Sequence, residues 1–173
     1  PASTWHRLED GKLLLEPRPV TIDQLANPSF LARRIVHHQF SASLELDFET
    51  ADPGDRAGMV LYRRSTCHYQ FLKQGGDLVV TRTEKGEKQE VARVEYGASE
   101  VILKAEANGL DLQFSYGKPG QELKSIGDVQ SMSVLSFETA EGFNGPYVGM
   151  YAGSDGKSPG DPARFDWFEY EGK

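Results

Sequence analysis

Cysteine is almost absent from this sequence. Cys67 is the only one in 173 residues, so no intrachain disulfide can form and the redox compartment stays open. Positive charge is short as well: Lys and Arg number 19 against 26 Asp and Glu, a formal charge of -7. A surface of that sign does not neutralise phosphates, which argues against a nucleic-acid partner. No apolar run approaches the roughly 20 residues that a membrane-crossing helix needs. The opening Pro1-Ala2-Ser3-Thr4-Trp5 has neither the basic nor the apolar region of a secretion signal, so no membrane partner is expected and the compartment is unassigned. A start at Pro1 without an initiator methionine fits a processed chain or a piece of something longer.

The motifs of common catalytic sites are missing too. Gly-x-Ser-x-Gly, the phosphate-binding loop and the dinucleotide Gly-x-Gly-x-x-Gly do not occur. His37 and His38 are adjacent, and adjacent residues on a strand point to opposite faces and cannot chelate one ion. The same geometry keeps Cys67 from meeting His68 as nucleophile and base. No cofactor is expected. Calcium on Asp155, Asp161 or Asp166 is the one metal chemistry left open, although Ser154-Asp155-Gly156 lacks the spaced acids of a calcium loop. With 26 acids some pair will always lie close enough to suggest a glycosidase, so number alone assigns no catalytic residue. Asp47, Asp166 and Glu169 fall on strand-like runs, where a solvated face is the default role.

What is present is alternation. From Phe40 to Glu49 apolar and polar residues alternate strictly, which on a strand buries Phe40, Ala42, Leu44, Leu46 and Phe48 on one face. Further β-like runs cover Ala57–Arg63, His68–Lys73, Leu78–Glu84, Gln89–Tyr96, Glu100–Ala107, Leu110–Tyr116, Tyr147–Ala152 and Ala163–Tyr170. Turn residues separate them, and Asn108-Gly109 predicts a hairpin turn with positive φ at both positions. Glu16–Pro28 reads as a loop crossing an edge, and Asp128–Leu135 is the only stretch that admits a short helix. In the last run, strict alternation would put Phe165, Trp167 and Glu169 on one face and Asp166, Phe168 and Tyr170 on the other, in a central strand. So many short strands without helices predict an all-β fold, a two-sheet antiparallel β-sandwich, as a single domain over residues 1–173.

Aromatic rings are the remaining functional signal, since a flat ring covers the apolar C–H face of a sugar at low entropic cost. Trp5, Tyr62, Tyr69, Phe143, Tyr147, Tyr151 and Trp167 are the candidates, most of them expected in the core. Phe143 stands between Gly142 and Asn144-Gly145-Pro146, the setting of a loop tip, and Trp167 is the strand ring expected beside a ligand face.

Four segments, in order, carry a resemblance: Asn27-Pro28-Ser29-Phe30-Leu31-Ala32-Arg33-Arg34, Asp55–Tyr62, Gly142–Tyr151 and Ala163–Tyr170. Together they resemble the C-terminal concanavalin A-like β-sandwich, a jelly roll, of glycoside hydrolase family 43 β-xylosidases and arabinofuranosidases. The resemblance implies a module that follows a catalytic propeller in a longer enzyme and helps close its pocket or binds xylose- or arabinose-containing saccharides. It places Phe143 in the pocket-closing loop. Phe143, Trp167, Arg34, Tyr62 and Tyr69 are the saccharide-contacting candidates, with no catalytic residue and no metal. Two other roles stand beside this one: a purely structural domain that stabilises the propeller or an oligomer, and a free-standing glycosidase or lyase on the same fold.

Overall fold

The computed structural model describes residues 6–17, 29–49, 54–135, 145–154 and 162–173. One sheet runs in the order β1 (His6–Glu9), β2 (Lys12–Leu15), β14 (Ala163–Gly172), β4 (Gln39–Asp47), β9 (Glu100–Asn108), β10 (Asp111–Gly117) and β11 (Lys124–Ser125); β12 (Gln130–Ser131) also bonds to β10. The second is six-stranded, in the order β3 (Ser29–Arg34), β13 (Tyr147–Gly153), β5 (Arg56–Arg64), β6 (Cys67–Gln74), β7 (Asp77–Glu84) and β8 (Glu87–Glu95). All pairings are antiparallel. A 3-10 turn, Met132–Leu135, falls inside the stretch expected to admit a helix.

The core lies between the sheets. β4 contributes Phe40, Ala42, Leu44 and Leu46, followed by Phe48, all buried as the alternation predicts. Facing them from the six-stranded sheet are Met59, Leu61, Tyr69, Phe71 and Val80. Removing each such large side chain from water contributes about 1.5–3 kcal/mol. The outer face of the six-stranded sheet is covered too, because Val60, Leu72 and Tyr151 form a second buried cluster flanked by Phe30 and Tyr62.

Three details depart from the sequence reading. The β9–β10 hairpin forms, but Asn108 pairs with Asp111, so the turn residues are Gly109 and Leu110 and only Gly109 has positive φ, at 64°. Glycine at the first central position is the requirement of the type II′ turn, so Asn108 need not leave the strand conformation. The β1–β2 hairpin was not anticipated, yet Asp10 (φ 53°) and Gly11 (φ 77°) supply both positive φ angles of a type I′ turn.

The third departure is in β14. It lies between β2 and β4, as a central strand should, but Phe165 and Trp167 do not share a face. The register shifts between them, so that Phe165 sits opposite the core residue Leu46 whereas Trp167 sits opposite Glu45 and Phe168 opposite Leu44. A bulge inserts one residue, Asp166, and thereby lets Phe165 and Phe168, three apart, both turn inward. Trp167 is left on the outer face of the larger sheet, 37% exposed.

Candidate functional site

Cross-strand register brings polar and aromatic side chains into a row on the outer face of the six-stranded sheet. Arg34 is opposite Tyr147, Tyr147 opposite Tyr62, Tyr62 opposite His68, and His68 opposite Thr83. Residues directly opposite in neighbouring strands share a face and stand about 4.5–5.5 Å apart, so the row is continuous. Arg34 is exposed at one end, Tyr147 and Tyr62 are half-buried, and His68 is fully buried.

The buried end of the row is held by a defined network. The Gln70 amide Nε2 donates to His68 Nε2 at 3.1 Å, and His68 Nδ1 in turn donates to the Arg64 carbonyl at 3.3 Å. Contacts at both ring nitrogens fix the orientation of the imidazole. Its ring lies 5.9 Å from that of Tyr62, which meets Phe30 edge-on at 6.0 Å. The tyrosine is thereby clamped between two rings, and its orientation is set before any ligand arrives.

The open end sits where β3 leaves the sheet and β13 enters it. Ile35 N–H donates to the Pro146 carbonyl at 2.8 Å, fastening Gly145-Pro146, the residues just before Tyr147, to the end of β3. Phe143 itself lies outside the described residues. The neighbouring arginines divide by alternation: Arg34 joins the outer row, while Arg33 points inward, its guanidinium carbon 3.8 Å from the centroid of the Tyr170 ring in the opposite sheet.

Arg34 and Tyr62 are thus brought together, with Tyr147 completing the group. The other two described candidates are not part of it. Tyr69 has no exposed surface; its ring packs 5.7 Å from Phe114 in the core and its hydroxyl donates to the Ser131 carbonyl at 2.7 Å. Burial pushes the Tyr69 phenol up to about 12. As the residue next to His68 on a strand it faces the other way, so Tyr69 is corrected from a saccharide contact to a core anchor. Trp167 is on the far side of the molecule, where the bulge sets Asp166 against Glu45. The hydrogen bond that the protonated Glu45 carboxyl donates to Asp166, burial and the charges of Asp166 and Glu100 all raise the Glu45 carboxyl above its ordinary value. Carboxyls this close do not have the roughly 5 Å gap that straddles a glycosidic bond in retaining enzymes.

The His68–Gln70 pair escaped the sequence reading. Its one signal is two polar residues at alternate positions in an otherwise apolar run, His68 and Gln70 alternating with Tyr69 and Phe71. Among the described residues no group of three or more His, Cys, Asp or Glu side chains could hold a metal ion. Asp155 and Asp161 lie outside the described residues.

Residues 1–171 match the family described as the Beta xylosidase C-terminal Concanavalin A-like domain. The chain belongs to that family. A xylosidase/arabinosidase of Butyrivibrio fibrisolvens is 33% identical over 167 residues, covering 93% of this chain and 32% of that protein. A non-reducing end alpha-L-arabinofuranosidase of Bacteroides ovatus is 28% identical over 174 residues, covering 97% of this chain and 32% of that protein. Among solved structures, the GH43 BlXynB protein of Bacillus licheniformis superposes with a TM-score of 0.90 at 26% identity, over 100% of this chain and 35% of that one. The chain therefore spans about a third of the length of these relatives. A functionally unknown protein of Saccharomyces cerevisiae shares the fold, with a TM-score of 0.70 at 15% identity, and there the match covers 93% of that chain.

Proposed function

We propose that this concanavalin A-like sandwich is a non-catalytic module of a xylosidase- or arabinosidase-type glycoside hydrolase, and that the Arg34–Tyr147–Tyr62 end of its six-stranded sheet lines part of the saccharide pocket. The observation that carries the reading is the register row itself. It presents a guanidinium and two half-buried tyrosines on one face, at the end of β13 that follows Gly145-Pro146. Hydroxyls of a pentose are hydrogen-bonded by the guanidinium and the phenols, and its C–H faces are covered by the rings. On this reading the catalytic carboxylates lie in the remainder of such a protein; the relatives named for xylosidase and arabinosidase activity are about three times as long as this chain.

The test uses the intact protein that contains this sandwich. Arg34→Ala, Tyr147→Ala and Phe143→Ala are each expected to lower kcat/KM on nitrophenyl xyloside or arabinofuranoside about tenfold, or about 1.4 kcal/mol, with little change in thermal midpoint. Kinetics indistinguishable from the parent for all three would overturn the pocket-lining role.

A structural role has its own supporting observation. A largely apolar groove of about 400 Å³ lies at the same end of the sandwich, lined by Ile35, Val36, Leu110, Met132, Leu135 and Pro146. Val36 is 63% and Leu110 67% exposed, an apolar patch of the kind that a neighbouring domain covers. On this reading Leu110→Glu releases the sandwich from the catalytic domain. The measurement is co-elution of the two parts expressed separately, and unaltered co-elution would refute it.

A further inference from the structure

At the opposite pole, where the two sheets part, the end of β8 and the end of β10 enclose a cleft of about 460 Å³. That volume is within the range of small-molecule pockets, roughly 300–1,000 Å³. β9 runs from one pole, at Glu100, to the other, at Asn108, and a strand of this length separates the cleft from the Arg34 end by roughly 26 Å.

The walls are preformed. Lys118-Pro119-Gly120-Gln121 is a β-turn closed by the Gln121 N–H donating to the Lys118 carbonyl at 3.0 Å, with φ of 81° at Gly120. Proline at the second turn position and glycine at the third is the type II pattern. Beyond the turn, Lys124 and Ser125 pair with Tyr116 and Ser115, and the buried Ile126 donates its N–H to the Phe114 carbonyl at 3.0 Å, so both ends of the loop are tied to β10. The loop folds back so closely that a Cβ on Gly117 would stand 3.1 Å from the Glu122 carbonyl oxygen. A wall ordered in advance leaves little entropy to be lost on binding.

The lining has the character of a sugar site. Tyr96 and Tyr116 meet edge to face at 6.0 Å, and Tyr96 is anchored by donating its hydroxyl to the Glu100 carbonyl. Tyr116 is half-buried, and its hydroxyl bonds to no described residue. Around the rings stand Gln121 and two pairs of opposite charge, Glu95 and Glu122 against Lys118 and Lys124. None of these five side chains is engaged with another described residue. Equal numbers of acids and bases give the cleft no net charge, which disfavours phosphates and uronates and suits a neutral, hydroxyl-rich ring.

We propose that this cleft is a second saccharide site, which takes a short neutral oligosaccharide with one sugar face against Tyr116 and its hydroxyls on Gln121, Glu95 and Glu122. The ligand class rests on the glycoside-hydrolase reading above; the location does not rest on the Arg34 end. Such a site would hold a polysaccharide chain away from the pocket in which its terminal residue is cleaved.

The experiment is a nuclear magnetic resonance titration of this chain with xylohexaose, followed through backbone amides and the Gln121 side-chain amide. Saturable shifts are expected at Gly97, Lys118 and Gln121, with a dissociation constant in the millimolar range. Tyr116→Leu should abolish them. Because Tyr116 also packs on the core, Gln121→Ala and Glu122→Gln on the surface loop serve as the second pair, each weakening binding several-fold with the fold unchanged. Inorganic phosphate should leave the same amides unmoved. Absence of shifts at these amides, shifts indifferent to Gln121→Ala, or shifts produced by phosphate in place of xylohexaose would each overturn the proposal. Shifts confined to Arg34, Tyr62 and Tyr147 would overturn it while supporting the pocket-lining role. Unchanged kinetics in the Arg34 variant would strike that role alone.

Discussion

Arg33, on β3 of the six-stranded sheet, lies with its guanidinium 3.8 Å above the ring of Tyr170, on β14 of the opposite sheet. Tyr170 also stacks on Phe40 at 5.5 Å, and its hydroxyl accepts from the Val36 N–H at 3.2 Å and bonds His37 Nδ1 at 2.9 Å. One side chain therefore ties the exit of β3 to the far sheet by a ring and a hydroxyl at once. Tyr170→Phe keeps the ring and removes the hydroxyl, and it is expected to cost about 1 kcal/mol in denaturant-derived stability. Arg33→Ala should cost a further 0.5–1 kcal/mol or so, as an exposed cation–π contact does. A denaturation midpoint unchanged by Tyr170→Phe would show that the hydroxyl contributes nothing.

Gly149 explains a glycine in the Gly142–Tyr151 segment that carried the family resemblance. It pairs with Ala32 on one side and Val60 on the other, and a Cβ there would stand 2.0 Å from the Leu31 carbonyl oxygen and 2.5 Å from the Ala32 Cα. Both atoms are backbone and cannot move aside without parting β3 from β13. Gly149→Ala should therefore lower stability by about 1–3 kcal/mol or more. It should also disturb the Arg34–Tyr147 pairing, which circular dichroism melts and amide exchange at β3 would report.

Much of the fold was legible because burial on one face leaves a period of two in the sequence, and β4 shows it residue by residue. Less legible were the features that depend on a partner. His68 and Gln70 are polar residues within a strand-like run, and only the structure shows each contacting the other while buried. The bulge at Asp166 is a one-residue insertion with no mark of its own, yet it reverses the side on which Trp167 stands. Tyr69 was misread because a strand covered on both faces gives no alternation: His68 through Lys73 are all buried. Asp10-Gly11 between Leu8 and Leu13 is the mark that the β1–β2 hairpin leaves in the sequence. Of the candidate site, residue types were readable but not the row, since register is a property of pairs of strands.

Tyr69→Phe separates a core anchor from a ligand contact. It leaves the ring against Phe114 and strips the donor from the Ser131 carbonyl, which ties β12 to the opposite sheet. The expected cost is about 0.5–1.5 kcal/mol, with saccharide binding and turnover of the intact protein unaltered. A large loss of turnover without loss of stability would restore Tyr69 to the site.

The carboxyl pair at the bulge predicts how stability responds to acid. The hydrogen bond that Glu45 donates to Asp166, together with burial and neighbouring charge, holds the Glu45 carboxyl above the ordinary 4.5. In the unfolded chain that restraint is gone. Between 4.5 and the raised value the folded state consequently binds more protons than the unfolded one, and stability falls as pH rises through that window. Below it both states carry the proton and the contribution is fully present; above it the two carboxylates repel across the bulge. Asp166→Asn supplies a neutral amide that can donate to Glu45 as a carboxylate, so the variant should be the more stable protein near neutral pH and should lose this part of the pH slope. Denaturant unfolding at closely spaced pH values from about 4 to 7 measures it. A slope equal to that of the parent would mean that Asp166 does not raise the Glu45 carboxyl.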